Sequence, residues 1–280
     1  MAVAVVTDSS ACLPPGSPAS VVPLVVVVNG VEGLEGESVS AASVAAALGE
    51  RRVSVTTSRP APAAFSSLYS SLLSAGASGV VSVHLSAALS GTVDAASSAA
   101  SSFGGSVVVV DSRSTGMGLG FPVLAAVSAA AVPGADVADV RAAAVNAADR
   151  TWAFFYVDTL EFLRRGGRIT AAAALLGTAL SVKPILHVVD GAVMLRERVR
   201  TSTRALARLV DLAVEAAGES DVDVAVHHFA APERAAALLE SLGSRLGPRL
   251  RDSYVTEIGA AVAAHVGPGM ASVVVHRRPA

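Results

Sequence analysis

With a single cysteine, Cys12, in 280 residues, the chain cannot form an intramolecular disulfide. Aromatic residues make up only 4%, and the formal net charge is -2 with a sequence pI near 6.3. Neither a basic groove nor a set of stacking rings is on hand, so nucleic acid is not an expected partner. Lysine is almost absent: Lys183 is the one lysine, and the bias toward Arg and Ala says little about partners. No cationic start runs into an apolar signal core, and a cytoplasmic location is expected. Long apolar runs are scarce despite 52% hydrophobic residues and a mean hydropathy of +0.58, because Ala and Val supply most of them. The best candidate span, GLGFPVLAAVSAAAVPGA from Gly118, is weakly apolar and holds Pro122 and Pro133. A buried or half-buried helix is expected there, and no membrane span.

Short Val-rich runs alternate with Ala-rich stretches through the first half. AVAVVT from Ala2, VVPLVVVV from Val21, VSVTT from Val53, VVSVHL from Val80 and VVVVD from Val107 read as strands, several of them apolar on both faces. The segments between suit helices, which is the pattern of a parallel sheet covered on both sides. The second half differs. WAFFYV from Trp152 reads as a strand, DTLEFLRRGGRI as a helical turn closed by glycines, and TAAAALLGTAL from Thr170 as a helix. Asp190 and Gly191 between two strand-like runs predict a hairpin. A helix, a strand, a helix and two more short strands then complete an α+β domain. The expected fold is therefore α/β in two domains: residues 1–151 as a three-layer α/β/α domain with a parallel sheet, and 152–280 as a smaller α+β domain.

In open α/β sheets ligands bind beyond the carboxyl ends of the strands, and here those ends are rich in hydroxyls. Thr7, Asp8, Ser9 and Ser10 follow the first strand, Thr56, Thr57 and Ser58 the third, Ser90, Gly91 and Thr92 the fourth, Asp111 and Ser112 the fifth. Convergence of these four ends on one crevice would form an anion site, helped by the amides of a helix starting after Gly91. Helix capping explains each group taken singly, and both readings stay open. Asp8 suits holding loop amides better than acid or base chemistry. His227 and His228 are neighbours on a strand and point to opposite sides, so they are not expected to share a metal, and no other metal set is expected. His265, before Val266, Gly267, Pro268 and Gly269, could be turned toward a cleft.

VTDSSACLP, TSRPAPAAF, LSGTVDAA, VVDSRSTGMGLG, VDTLEFLRRGGRI, VKPILHVVDG, RVRT and AHVGPG, in that order over nearly the whole chain, resemble the DegV family of bacterial fatty-acid-binding proteins. The resemblance implies two domains with one long-chain fatty acid, C16 to C18, in the crevice between them and no other cofactor. Its carboxylate would meet Thr57, Ser58, Ser90, Gly91, Thr92 and His265, with Asp8 and Ser9 in support. It also implies a carrier without its own catalytic residues, resembling the binding subunit of bacterial fatty acid kinase, whose kinase partner makes acyl-phosphate for phospholipid synthesis. Arg168 and Arg200 resemble family arginines at the cavity mouth or the kinase contact, and Lys183 matches the family's KP without an assigned role. Two departures stand out: Cys12 replaces a common Asp, and Arg59 and Ala61 replace polar residues, which would alter the rim. Two other functions fit the same residues. One is a serine hydrolase with Ser90, His265 and Asp8 or Asp111, although no GxSxG elbow is present. The other is a binder of small anions or phosphometabolites.

Overall fold

The computed structural model describes residues 2–50, 53–169 and 182–279. The chain begins with β1 (Ala4–Asp8), β2 (Ser20–Val22), β3 (Val25–Val28), β4 (Val31–Leu34), α1 (Ala41–Gly49) and β5 (Val55–Ser58). It continues through α2 (Pro62–Ser74), β6 (Val80–His84), α3 (Thr92–Ala100), β7 (Val107–Asp111), α4 (Met117–Ala130) and α5 (Val137–Ala148). The last part holds β8 (Thr151–Tyr156), α6 (Glu161–Arg165), β9 (Lys183–Val189), β10 (Ala192–Val199), α7 (Ser202–Ala217), β11 (Val222–His228), α8 (Pro232–Leu246), β12 (Leu250–Glu257), α9 (Ala260–Val266) and β13 (Ala271–Arg277). Two compact units result: Met1–Val25 with Ser58–Asp149, and Val26–Thr57 with Arg150–Ala280.

The first unit is the expected three-layer α/β/α domain. Its four strands run parallel in the order β2-β1-β6-β7. Every residue of β6 is buried, as a strand covered on both faces requires. Helices α2 and α3 pack together over the sheet, with Phe65, Tyr69, Ala95, Ala96 and Ala99 meeting Val6, Val80 and Val107. Helices α4 and α5 form the other pair. The apolar stretch from Gly118 lies in α4, buried from Met117 to Val123. Gly120 allows that helix its close approach, since a Cβ there would stand 2.6 Å from the Ala11 carbonyl oxygen. Among the described residues no helix is long and apolar enough to cross a membrane.

The second unit is built on a six-stranded mixed sheet, order β10-β9-β8-β13-β11-β12. Helices α7 and α8 cover it, Leu209, Leu212, Leu238 and Leu242 packing with Tyr156, Val224 and Val273. The Asp190–Gly191 hairpin is present between β9 and β10, with both residues at positive φ (48° and 81°) as a type I′ turn demands. A separate three-stranded sheet, order β4-β3-β5, completes the described strands.

Three expectations need correction. The run VVPLVVVV is two strands, because Pro23 has no amide for a ladder and the Leu24 amide donates to Ser9 Oγ at 2.9 Å. The run VSVTT does not enter the parallel sheet; as β5 it joins β3 and β4, so of the four hydroxyl-rich strand ends only those of β1, β6 and β7 share the parallel edge. The division at 151/152 also differs from the observed units. Residues 26–57 fold with the C-terminal part, which makes the second unit the larger one. The helix expected from Thr170 lies outside the described residues.

Candidate functional site

At the carboxyl edge of the parallel sheet, Asp8 organises the loops. Its Oδ1 accepts from the Ser10 amide (3.1 Å) and hydroxyl (2.6 Å), and its Oδ2 from the Leu85 amide (3.0 Å). The same Oδ2 meets His84 Nδ1 at 3.0 Å. His84 Nε2 lies 2.7 Å from Ser82 Oγ, which accepts from the Tyr69 hydroxyl at 2.8 Å. An imidazole carrying its hydrogen on Nδ1 satisfies this whole chain, whose four side chains are all fully buried. Burial also pushes the Tyr69 hydroxyl up to about 12, with the Ser82 bond opposing. Asp8 thus holds amides and a histidine in the interior, with no solvent access for acid or base work. Asp111 is a loop holder as well, accepting from the Ala87 and Arg113 amides at 3.2 and 2.7 Å.

In the same unit, α3 begins at Gly91 with no side-chain cap. Ser90 Oγ and Thr92 Oγ1 bond one another at 2.9 Å rather than capping the helix. A Cβ on Gly91 would stand 2.7 Å from an Arg59 guanidinium nitrogen, so the glycine lets Arg59 lie across the helix start. Arg59, one of the departures from the family pattern, adds positive charge where the helix dipole is already positive. Cys12, the other departure, has φ of 51°, a left-handed conformation that Asp and Asn adopt more readily than Cys.

The second unit holds a cavity of about 390 Å³, lined by Leu48, Val53, Ser54, Val55, Thr56, Thr57, Phe162, Arg165, Gly166, Arg168, Ala264 and His265. Its volume is in the range of small-molecule sites. Thr57 on β5 and His265 in the last turn of α9 bond one another in its wall, Oγ1 to Nε2, at 2.8 Å. Burial, and then the nearby Arg168 charge, push the His265 imidazole down to about 4. At neutral pH the ring is uncharged and keeps one N–H to donate. Arg168 is turned back on its own loop, donating to the Gly166 carbonyl.

Glycines make this geometry reachable. A Cβ on Gly166 would lie 2.2 Å from His265 Nδ1, and one on Gly267 (φ +75°) would lie 2.2 Å from the Phe162 ring. The turn after α9 is fixed from the other side by Asp158, which accepts from the Tyr156 hydroxyl and from Arg234 Nη1, the same nitrogen that bonds the Gly269 carbonyl. Burial raises the Asp158 carboxyl, but these two bonds outweigh it and hold the group below its usual range. Lys183 belongs here: its Nζ donates to the Asp158 carbonyl at 3.3 Å and stands 3.6 Å from the carboxylate.

Thr57, His265 and Arg168 are therefore brought together within the second unit. Ser58 is exposed at the end of β5, and Ser9 Oγ is taken by the Leu24 amide. Arg200 is exposed after β10 and is not among the residues lining the cavity. His227 is buried and bonds Thr256 Oγ1 at 2.7 Å through Nδ1. Among the described residues no cluster of His, Cys, Asp or Glu could hold a metal. Within the second unit His265 bonds Thr57, and within the first Asp8 pairs with His84. Phe162 and Arg165 were not expected in the cavity wall; the Gly166–Gly167 pair was the sequence signal for a close approach there.

Fold and cavity together define a two-domain α/β protein with a chamber offering hydroxyl, imidazole and guanidinium donors. The chain belongs to the DegV family: residues 2–278 match the family described as "Uncharacterised protein, DegV family". A DegV domain-containing protein of Streptomyces coelicolor is 49% identical over 280 residues, covering 99% of both chains. The structure of a DegV family protein from Thermus thermophilus, described as binding fatty acid, superposes with a TM-score of 0.92 at 32% identity, over 99% of this chain and 100% of that one. DegV of Bacillus subtilis, described as a fatty acid binding protein, gives 0.88 at 29% identity with the same coverage.

Proposed function

We propose that this protein binds one long-chain fatty acid, C16 to C18, without covalent attachment, as a carrier with no catalytic machinery of its own. The observation that carries the reading is the Thr57–His265 pair in the wall of the cavity beside Arg168. A buried carboxylate is costly unless hydrogen-bonded. One of the pair's two hydrogens lies in the bond between Thr57 and His265, the other is a donor suited to it, and bonds to an ionised group are the strong ones. The fatty-acid binding ascribed to the Thermus thermophilus and Bacillus subtilis relatives supports the same ligand class. Burial of the tail supplies the affinity. At roughly 0.8 kcal/mol per methylene, about fifteen methylenes contribute on the order of 12 kcal/mol before binding entropy is subtracted.

Ser58, Ser90, Gly91 and Thr92 belong to the proposal as further carboxylate contacts, with Asp8 and Ser9 shaping the loops around them. The finer role is delivery: the carrier presents the carboxyl group to a separate fatty acid kinase in the cytoplasm, with Arg168 and Arg200 on the kinase side, and the acyl-phosphate enters phospholipid synthesis. The first test is mass spectrometry of the organic extract of natively purified protein. A stoichiometric C16 or C18 acid is expected. An empty extract, still empty after incubation with palmitate and oleate, would refute the ligand.

A further inference from the structure

The second unit contains a buried carboxylate that fatty-acid binding does not use. Glu35 directly follows β4 and is 6% exposed. Its Oε1 accepts from the Ala261 amide at 2.8 Å. That amide lies in the first turn of α9, whose N-cap, Gly259, offers no side chain to cap it. First-turn amides have no acceptor within their own helix, and negative charge is favoured beside them. A Cβ on Gly259 would stand 2.2 Å from the same Oε1, so the glycine is what admits the carboxylate.

Helix α9 has seven residues, AAVAAHV, and His265 sits in its last turn. A helix this short has little stability of its own and takes its place from what holds it. The strands β4 and β5 belong to one three-stranded sheet, which therefore grips α9 at both ends. Glu35 takes the first turn, and Thr57 takes His265. Helix α1, from the same part of the chain, packs along it.

We propose that Glu35 is a positioning residue for the ligand site: by anchoring the start of α9 it keeps the His265 imidazole on the Thr57 hydroxyl. The proposal rests on the reading of that pair as the carboxylate site. Glu35 acts through the helix, about one turn away from His265, while Arg165 and Arg168 are the charged groups beside His265 in the cavity wall. Loss of the anchor lets α9 fray from Ala260 and frees the ring to reach water.

The test compares Glu35→Ala, Glu35→Gln and Gly259→Ala in the full chain, reading the NMR titration of His265 without ligand and the binding of oleate. Glu35→Ala and Gly259→Ala should move the His265 titration up from about 4 toward the ordinary histidine value and weaken oleate binding about tenfold. Glu35→Gln keeps a carbonyl acceptor for the Ala261 amide and should restore both readouts to within about threefold of wild type. A folded Glu35→Ala protein with unchanged titration and unchanged oleate binding would overturn the proposal. Should that variant not fold, unchanged readouts in Gly259→Ala would overturn it equally. A wild-type protein that binds no oleate would sink the fatty-acid reading, while the ligand-free titration would still judge Glu35.

Discussion

Lowering the pH from about 7.5 to about 5 should cost the second unit about 4 kcal/mol of stability through His227 and His276. Both rings are buried, 2% and 8% exposed, and each donates to or accepts from a threonine across a strand pair, Thr256 and Thr151. Burial pushes both down to about 4. The charges of Arg150 and Arg278 further lower His276, against Asp223, and the neighbouring His228 further lowers His227. An unfolded chain binds these protons near the ordinary value of about 6.5. Between 6.5 and 4 the unfolded state therefore holds more protons than the folded one. The contribution is whole above 6.5 and is lost as pH falls toward 4. At pH 5 each histidine has given up roughly 1.5 pK units, or about 2 kcal/mol. Trp152, the single tryptophan, sits on β8 under the Arg277 guanidinium and reports the second unit alone. Urea unfolding followed by its fluorescence, at several pH values, gives the slope directly. The double variant His227→Gln, His276→Asn should lose at least half of that slope. A flat profile in the wild type, or an undiminished slope in the double variant, would refute the burial argument.

Other consequences concern the site. Thr57→Val removes the hydroxyl at nearly constant volume and should weaken fatty-acid binding by about 1.5 to 3 kcal/mol, roughly 10- to 150-fold, in a competition assay with a fluorescent fatty acid. Ser90→Ala should fall in the same range; wild-type affinity there would remove Ser90 from the carboxylate contacts. Gly166→Ala places a methyl group 2.2 Å from His265 Nδ1 and should displace the ring, with binding lost and about 1 to 3 kcal/mol of stability with it, both readable by calorimetry. Arg200→Ala, at an exposed position away from the cavity, should leave fatty-acid binding intact and reduce acyl-phosphate formation by an added kinase subunit. Equal loss of binding in Arg200→Ala and Thr57→Val would end that division of roles.

The amino-acid sequence by itself determined the local elements whose signals are short-range. The Val-rich runs of β1, β6 and β7 are legible as strands from composition alone, and β6, the central one of the three, is buried along its whole length. Asp190–Gly191 turns the chain because both residues tolerate positive φ. Asn29–Gly30, also at positive φ, carries the same signal between β3 and β4, yet it is overridden in reading by the longer apolar run that starts at Val21. The order of motifs was likewise enough to place the chain in its family. Tertiary structure decided the partnerships. Thr57 and His265 are 208 residues apart, and only the return of residues 26–57 to the C-terminal unit brings them within a hydrogen bond. Glu35 stands in a stretch, EGLEGES, with nothing local to distinguish its carboxylate from its neighbours. Its role comes from an amide 226 residues away that needs an acceptor, and sequence spacing does not encode such long-range pairing. Burial, joined by the Arg168 charge, set the low proton affinity of His265, because desolvation depends on what the folded chain packs around a side chain rather than on its neighbours in sequence.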